Sequence, residues 1–157
     1  IQYVIDTLKE LKINPNHKNG RRMIVVAWNP GNATISKLPP CHYTFAFNVL
    51  GNKLNCHLTQ RSGDIDLGIP FNLACYSLLT MMLAKECGYE VGEFSHTIID
   101  AHIYENHIEG LKEQLTRKPL KLPKIKIADK PFNELTFDDI KLEDYESYPL
   151  IKFEVAV

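Results

Sequence analysis

The chain has 157 residues, 45% of them apolar and 10% aromatic, with 18 Lys and Arg against 19 Asp and Glu. This length and composition favour one folded domain, and the formal net charge of -1 provides no global positive field for nucleic acid or an anionic membrane surface. No apolar run reaches the roughly 20 residues of a membrane span and no signal-like segment opens the chain, so we expect a cytoplasmic protein with reduced cysteines.

The first part of the chain predicts one helix and three strands. Apolar residues at helical spacing share one face of an opening helix: Val4, Ile5, Leu8 and Leu11. Because this helix already includes Ile1, we expect further residues to precede the chain. Residues 23–28 are predicted to form a buried strand, and residues 42–50 and 53–60 a hairpin that turns at Gly51-Asn52.

The second part predicts a long helix, a strand and a second helix. Residues 71–87 are apolar nearly all round, which is typical of a central buried helix. Residues 94–104 are predicted to form a strand, and residues 105–117 a helix with three residues inward: Ile108, Leu111 and Leu115. Short strands are expected at 125–127 and 150–153. Without an internal repeat or a low-complexity linker, one α+β domain is the simplest organisation.

One candidate for chemistry is a cysteine that follows two prolines at the start of a strand, Pro39-Pro40-Cys41-His42. A thiol at a strand end can meet a substrate, and a nearby cation would raise its thiolate fraction. A single cysteine is more often an inert thiol, so this motif alone is weak evidence.

Two basic segments are candidate phosphate sites. Residues 60–64, Gln-Arg-Ser-Gly-Asp, combine a guanidinium, a hydroxyl and glycine-flanked backbone N–H groups at a strand end. Arg21-Arg22 stands directly before a strand and could clamp a phosphate dianion. Solvated turns are the alternative for both segments.

Two further polar features suit a nucleoside. Asn72 follows Pro70-Phe71 at a helix start, where an amide could read an imide edge as well as cap the helix. Asp100, His102 and Tyr104 alternate with apolar residues, so one strand face could present all three to sugar hydroxyls, or simply to water.

The spacing of residues in the sequence excludes a zinc site and the usual nucleotide-binding loops. In each Cys-His dipeptide, Cys41-His42 and Cys56-His57, the side chains point to opposite faces of a strand, and no CxxC or HxxxH spacing is present. We therefore expect no metal. The glycine-rich loops that hold triphosphates and dinucleotides are absent as well.

In this order, the motifs Arg-Arg, Pro-Pro-Cys-His, Gln-Arg-Ser-x-Asp, Leu-Gly-x-Pro-Phe-Asn and Asp-x-His-x-Tyr, with a terminal Val-Ala-Val, resemble the thymidylate synthase family. The resemblance covers residues 1–157 and implies that they are the carboxy-terminal part of a single thymidylate synthase domain. It implies a three-layer α+β fold with a mixed, mainly antiparallel sheet packed on a central buried helix. The implied reaction is reductive methylation of dUMP to dTMP with 5,10-methylenetetrahydrofolate as co-substrate.

The resemblance also assigns roles to residues. Cys41 is similar to the nucleophile that adds to C6 of dUMP, and Asn72 to the residue that reads the uracil edge. The remaining nucleotide contacts implied are His42, Gln60, Arg61, Ser62, Asp64, His102 and Tyr104. Arg21 and Arg22 correspond to residues that reach the phosphate in the neighbouring subunit, which implies a homodimer that needs neither nucleic acid nor a membrane. The implied folate contacts are Asp64, Gly68, Ala156 and Val157.

The chain departs from the family pattern at several positions. Ile99 stands where glycine is usual, Asp66 where an apolar residue is usual and Glu154 where proline is common, and the loop before Arg21 is about three residues longer. The family's amino-terminal arginine, glutamate and tryptophan are not in these residues, so we expect residues 1–157 to be inactive by themselves. Two alternatives stay open: a dUMP hydroxymethylase of the same superfamily, and a non-catalytic nucleotide-binding fragment.

Overall fold

A computed structural model describes residues 1–155, so the predicted folate contacts at Ala156 and Val157 lie outside the described residues. The chain divides into two compact units, one of residues 1–102 and one that begins at Ile103. The prediction of a single domain stays a prediction.

The first unit opens with helix α1 (Gln2–Ile13), which confirms the expected amphipathic helix. All four predicted inward residues are buried, and Leu8 and Val4 are among the least accessible side chains of the chain. Two bonds tie α1 to residues 87 and 89, at the end of the long helix and just after it: Cys87 Sγ donates to Ile5 O at 3.9 Å, and Tyr89 Oη donates to Leu8 O at 3.0 Å.

A four-stranded sheet follows within the described residues: β1 (Ile24–Val26), β2 (His42–Leu50), β3 (Lys53–Asp64) and β4 (Glu90–His102), in the order β1-β2-β3-β4. The pairs β1–β2 and β2–β3 are antiparallel, whereas β3 and β4 are parallel. This confirms an α+β fold with a mixed, mainly antiparallel sheet. The predicted hairpin is also present, with Gly51 at φ 63°, a conformation that favours glycine.

Strand β1 differs from the prediction of a buried strand at residues 23–28. It is three residues long and lies at the sheet edge, with Ile24 57% and Val26 62% exposed, and only the preceding Met23 is buried. β-branched composition indicates a strand but does not distinguish an edge strand from a central one, which explains the error.

Helix α2 (Gly68–Cys87) connects the parallel strands β3 and β4 and ends at Gly88, which has the left-handed conformation common after helices. One face packs on the sheet, where Leu83 of α2 meets a core that includes Leu54 and Leu58 of β3, all three fully buried. Truncating any of these leucines to alanine would cost about 2–5 kcal/mol. Phe71, by contrast, is exposed. Among residues 1–155, no helix combines the length and apolar content needed to cross a bilayer.

The second unit contains α3 (Ile108–Thr116) and an antiparallel pair, β5 (Lys124–Ile127) with β6 (Ile140–Glu143). The predicted helix is present, but the inward assignment was wrong for Leu115, which is 86% exposed, and Ile108 is exposed as well. Strand β6 was not predicted, and residues 150–153 form no strand. The buried centre of the unit is instead His107, whose ring packs on Phe153.

Candidate active site

Cys41 lies directly before β2 and is half-buried, and its carbonyl oxygen accepts a bond of 2.8 Å from the backbone N–H of Arg61. Of the other cysteines, Cys56 and Cys87 are buried, and burial raises the pKa of each thiol to about 11, so neither forms a thiolate readily near neutral pH. Cys75 is exposed on α2. The structure therefore separates Cys41 from the two thiols of the packed core.

The side chain of Arg61 holds the loop that carries Cys41. Its Nε donates to Pro40 O at 3.1 Å and its Nη2 donates to Pro39 O at 2.7 Å. The two prolines have no backbone N–H but keep their carbonyl acceptors, and the planar fork of guanidinium donors suits two adjacent carbonyls. These contacts hold the permanently charged guanidinium against the two residues that precede Cys41.

A buried amide network links β3, α2 and β4. Gln60, which is 2% exposed, donates from Nε2 to Asn72 Oδ1 at 3.0 Å and to Ser62 O at 2.9 Å. Its Oε1 lies 3.0 Å from His96 Nε2. Since Oε1 can only accept, His96 Nε2 carries the hydrogen and donates it. The network orients Asn72 with its Nδ2 group available to an acceptor.

His42, the residue that follows Cys41 in sequence, contacts Tyr76 of α2. His42 Nδ1 lies 2.8 Å from Tyr76 Oη, and the two rings meet edge to face. Tyr76 also meets Phe45 edge to face and stacks in parallel with Phe94. The hydroxyl is therefore held by aromatic packing on both sides.

The ends of the parallel strands bring together further predicted residues of the first unit. Ser62 is opposite Asp100 and Asp64 is opposite His102, and His102 Nδ1 donates to Asp100 O at 3.3 Å. Asp64 Oδ1 accepts from the backbone N–H groups of Asp66 at 3.0 Å and Leu67 at 3.3 Å. Asp64 thus stabilises the turn that leads into α2, a structural role beside any contact with a ligand.

Gly63 allows the close approach of β3, β4 and α2 at this point. A Cβ atom built there would lie 2.5 Å from Ile69 Cδ1 and 3.1 Å from Ile98 Cγ2, so a larger residue does not fit without movement. Gly68, the first residue of α2, is less constrained, since its added Cβ would lie 3.7 Å from Asp64 Cβ.

Arg21 and Arg22 are both exposed, Arg21 as the last residue of a 3-10 helix and Arg22 directly after it. Arg21 borders a cavity of about 710 Å³ whose lining includes Lys12, His17 and Lys18 but no acidic residue. None of Cys41, Arg61 and Asn72 lines it. That the arginine pair serves another subunit stays a prediction.

The remaining predicted residues belong to the second unit. Tyr104 is half-buried, and its ring meets the His107 ring edge to face at 5.7 Å. His107 Nε2 donates to Glu154 O at 2.6 Å, which holds the chain just before the two residues outside the described range.

Ile99, which stands on β4 of the first unit where the family usually has glycine, is 68% exposed.

Tyr76 and His96 are the contacts that sequence reasoning missed. Tyr76 lies within residues 71–87, the predicted buried apolar helix, and His96 shares its face of β4 with the apolar Phe94 and Ile98 at period two. In both cases the available signal was a hydrogen-bonding group within an apolar face, which requires a partner when buried.

Comparison with known proteins agrees with these motifs. A family model described as thymidylate synthase matches residues 1–157. Relatives named thymidylate synthase are 52% identical in Listeria monocytogenes serotype 4a (100% of this chain) and 52% in Mycoplasma pneumoniae (98%). A third, from Haloferax volcanii, is 40% identical over 99% of this chain. The chain spans only about half the length of these relatives, 50%, 54% and 58% respectively. By its motifs and by these matches, the chain belongs to the thymidylate synthase family.

Proposed function

We propose that these residues are the carboxy-terminal part of a single thymidylate synthase domain, in a cytoplasmic enzyme that converts dUMP to dTMP with 5,10-methylenetetrahydrofolate. The observation that carries the proposal is the half-buried Cys41 thiol on a loop held by the Arg61 guanidinium. The relatives' names support the same activity.

In the proposed reaction, the Cys41 thiolate adds to C6 of the uracil ring and makes C5 nucleophilic. C5 then attacks the methylene carbon that bridges two folate nitrogens, and the bond from that carbon to one of the nitrogens breaks. C5 next loses its proton, and the bond to the second nitrogen breaks, which frees tetrahydrofolate and leaves an exocyclic methylene group. Hydride from the tetrahydrofolate ring reduces this group to methyl as the Cys41 sulfur leaves C6. The products are dTMP and dihydrofolate. Covalent addition is needed because C5 of an unmodified pyrimidine is too weak a nucleophile.

The chain's own polar groups support recognition of a nucleotide with a uracil base. Gln60 occupies one acceptor position of Asn72 Oδ1, which leaves the other position for N3–H of uracil. In this orientation Asn72 Nδ2 is available to donate to O4 of uracil. Arg61 and Ser62 are proposed to contact the phosphate, and His102 and Tyr104 the ribose hydroxyl. Asp64 and Gly68, with the terminal residues 156 and 157, are proposed to contact the folate.

We further propose a homodimer in which Arg21 and Arg22 reach the partner's nucleotide phosphate. The exposure of both side chains is compatible with this role, and a bidentate guanidinium suits a phosphate dianion. The protein requires no nucleic acid and no metal for the proposed chemistry.

The test uses the full-length protein that carries this chain, incubated with 5-fluoro-dUMP and methylenetetrahydrofolate. The C5 fluorine cannot leave as a cation, so a covalent ternary adduct on Cys41 should accumulate and be seen by mass spectrometry. Cys41→Ser should abolish the adduct, whereas Cys75→Ser, which removes an exposed thiol, should not. An intact protein without the adduct would indicate a non-catalytic fragment.

Turnover with dUMP distinguishes the remaining alternative. Formation of dTMP and dihydrofolate in equal amounts supports the synthase. Formation of hydroxymethyl-dUMP, with tetrahydrofolate released unoxidised, would instead identify a hydroxymethylase.

A further inference from the structure

The contact between Tyr76 and His42 determines which nitrogen of the His42 ring carries hydrogen. Tyr76 is 8% exposed, and its hydroxyl oxygen lies 2.8 Å from His42 Nδ1. Among residues 1–155, no other hydrogen-bond partner of the hydroxyl is observed. The phenol has one hydrogen, and leaving it unbonded at a buried site is costly.

The hydrogen is therefore donated by Tyr76 and accepted by His42 Nδ1. Burial raises the pKa of the Tyr76 hydroxyl above its ordinary value, which keeps the phenol protonated near neutral pH. If Nδ1 accepts, the neutral ring must carry its own hydrogen on Nε2. The alternative, in which Nδ1–H donates to Oη, would leave the phenol hydrogen without an acceptor.

The position of the hydroxyl is also fixed. Phe45 and Phe94 pack on the Tyr76 ring with centroids at 5.0 and 6.4 Å, so the ring has little freedom to turn away from His42. His42 is adjacent in sequence to Cys41, and its own ring is half-buried.

We propose that Tyr76 is a positioning residue of the active site, which fixes the His42 ring and its Nε2–H tautomer through a hydrogen bond to Nδ1. This inference rests on the proposed function for its catalytic meaning. In that tautomer the ring of His42, the residue after Cys41 in sequence, offers a hydrogen-bond donor suited to a carbonyl oxygen of the base or to an ordered water. It does not offer a free basic nitrogen, so His42 is not the group that removes the C5 proton.

The direct test is the tautomer itself, measured on full-length protein with 15N-labelled histidine. Long-range 1H–15N correlation spectra of the unliganded enzyme should show His42 with a protonated, pyrrole-like Nε2 and an unprotonated, pyridine-like Nδ1. Tyr76→Phe should convert this pattern to a mixture of the two tautomers. A wild-type ring protonated on Nδ1, or a pattern unchanged in Tyr76→Phe, would overturn the inference.

Kinetics provide the functional readout. Removing one neutral hydrogen bond in Tyr76→Phe should lower kcat by roughly two- to tenfold, with a smaller change in KM for dUMP. The matched control is Tyr89→Phe, which removes a part-buried phenol hydroxyl bonded to a backbone oxygen elsewhere in the same unit and should leave kcat unchanged.

A double variant separates action through His42 from a general packing effect. In a His42→Gln background, whose side-chain amide supplies a donor without a tautomer, Tyr76→Phe should have no further effect on kcat. An equal loss in both backgrounds would overturn the positioning role. Retention of the Cys41 adduct in Tyr76→Phe keeps this result separate from the proposed function, because that function fails only if the wild-type protein forms no adduct.

Discussion

Gln60 and Asn72 form a side-chain hydrogen bond of 3.0 Å in which the Gln60 amide nitrogen is the donor and Asn72 Oδ1 the acceptor. The second hydrogen of the same nitrogen is donated to Ser62 O, and His96 donates to Oε1. Both amide hydrogens of Gln60 and one lone pair of its oxygen are thus used, and a rotated amide would lose these three bonds. Its fixed orientation determines that of Asn72, because a flipped Asn72 would bring two amide nitrogens together.

The first prediction is that Gln60→Glu changes base preference. A carboxylate at this position can only accept, so it should draw Asn72 Nδ2 towards itself and leave Oδ1 facing the base. That arrangement suits the amino group of cytosine better than O4 of uracil. We expect kcat/KM for dUMP to fall by roughly tenfold or more and binding of dCMP to improve relative to dUMP. Steady-state kinetics with dUMP and equilibrium binding of both nucleotides measure this.

Gln60→Met is the matched control, since it keeps the volume and removes both donor and acceptor. Asn72 would then be free in either orientation, so discrimination between the two bases should weaken without reversing. If Gln60→Glu and Gln60→Met gave the same relative binding of the two nucleotides, orientation of Asn72 by Gln60 would be excluded.

A second prediction concerns the packing of Gly63 on Ile69. Gly63→Ala would place a methyl group 2.5 Å from Ile69 Cδ1, so we expect the free energy of unfolding to fall by about 1–3 kcal/mol. Ile69→Val deletes that Cδ1 atom and should alone cost about 0.5–1.5 kcal/mol. The double variant should lose less free energy of unfolding than the sum of the losses in the two single variants, as measured by urea unfolding.

Gly68→Ala is the control for this comparison. Its added Cβ would meet only Asp64 Cβ at an ordinary 3.7 Å, so little or no loss of stability is expected. Strict additivity of Gly63→Ala and Ile69→Val would show that the methyl clash is relieved elsewhere.

How much of the first unit the sequence predicts depends on whether the signal is local. The α1 face with Leu8, the Gly51-Asn52 hairpin and the α2 segment all follow from periodicity and turn chemistry over a few residues. The exposure of Ile24 does not, because an edge position depends on which strands are present on either side.

The candidate site likewise has features that the sequence predicts and features that it does not. The motif order located Cys41, Arg61 and Asn72, but the partner of each side chain is set by contacts distant in sequence. Arg61 bonds the Pro39 and Pro40 carbonyls, and Tyr76 reaches back 34 residues to His42. Such pairs carry no periodic signal. They become visible only when the strands and α2 are packed together.

The third prediction follows from His96, whose pKa is lowered from its ordinary value of 6.5, mainly by burial and further by the nearby His57. Because the unfolded chain binds this proton more readily, the native state is favoured above about pH 6.5 and loses stability as pH falls through the lowered value. His96→Asn keeps a donor for Gln60 and removes the titration. We expect the urea midpoint of His96→Asn to fall less between pH 7 and pH 5 than that of wild type.

Wild type measured in parallel is the reference, and the contribution of His96 is the difference between His96→Asn and wild type at each pH. Equal slopes for His96→Asn and wild type would contradict the lowered pKa.

The fourth prediction tests whether Arg21 and Arg22 act on a partner's site. A protein with both changed to Ala should bind dUMP weakly as a homodimer, and Cys41→Ser should be inactive. Mixed dimers of the two contain one site with an intact Cys41 and an intact arginine pair from the other subunit. After random subunit exchange, half of the dimers are mixed and each has one such site, so activity should recover to roughly a quarter of wild type. No recovery, with exchange verified by mass spectrometry, would mean that the arginine pair serves its own subunit or none.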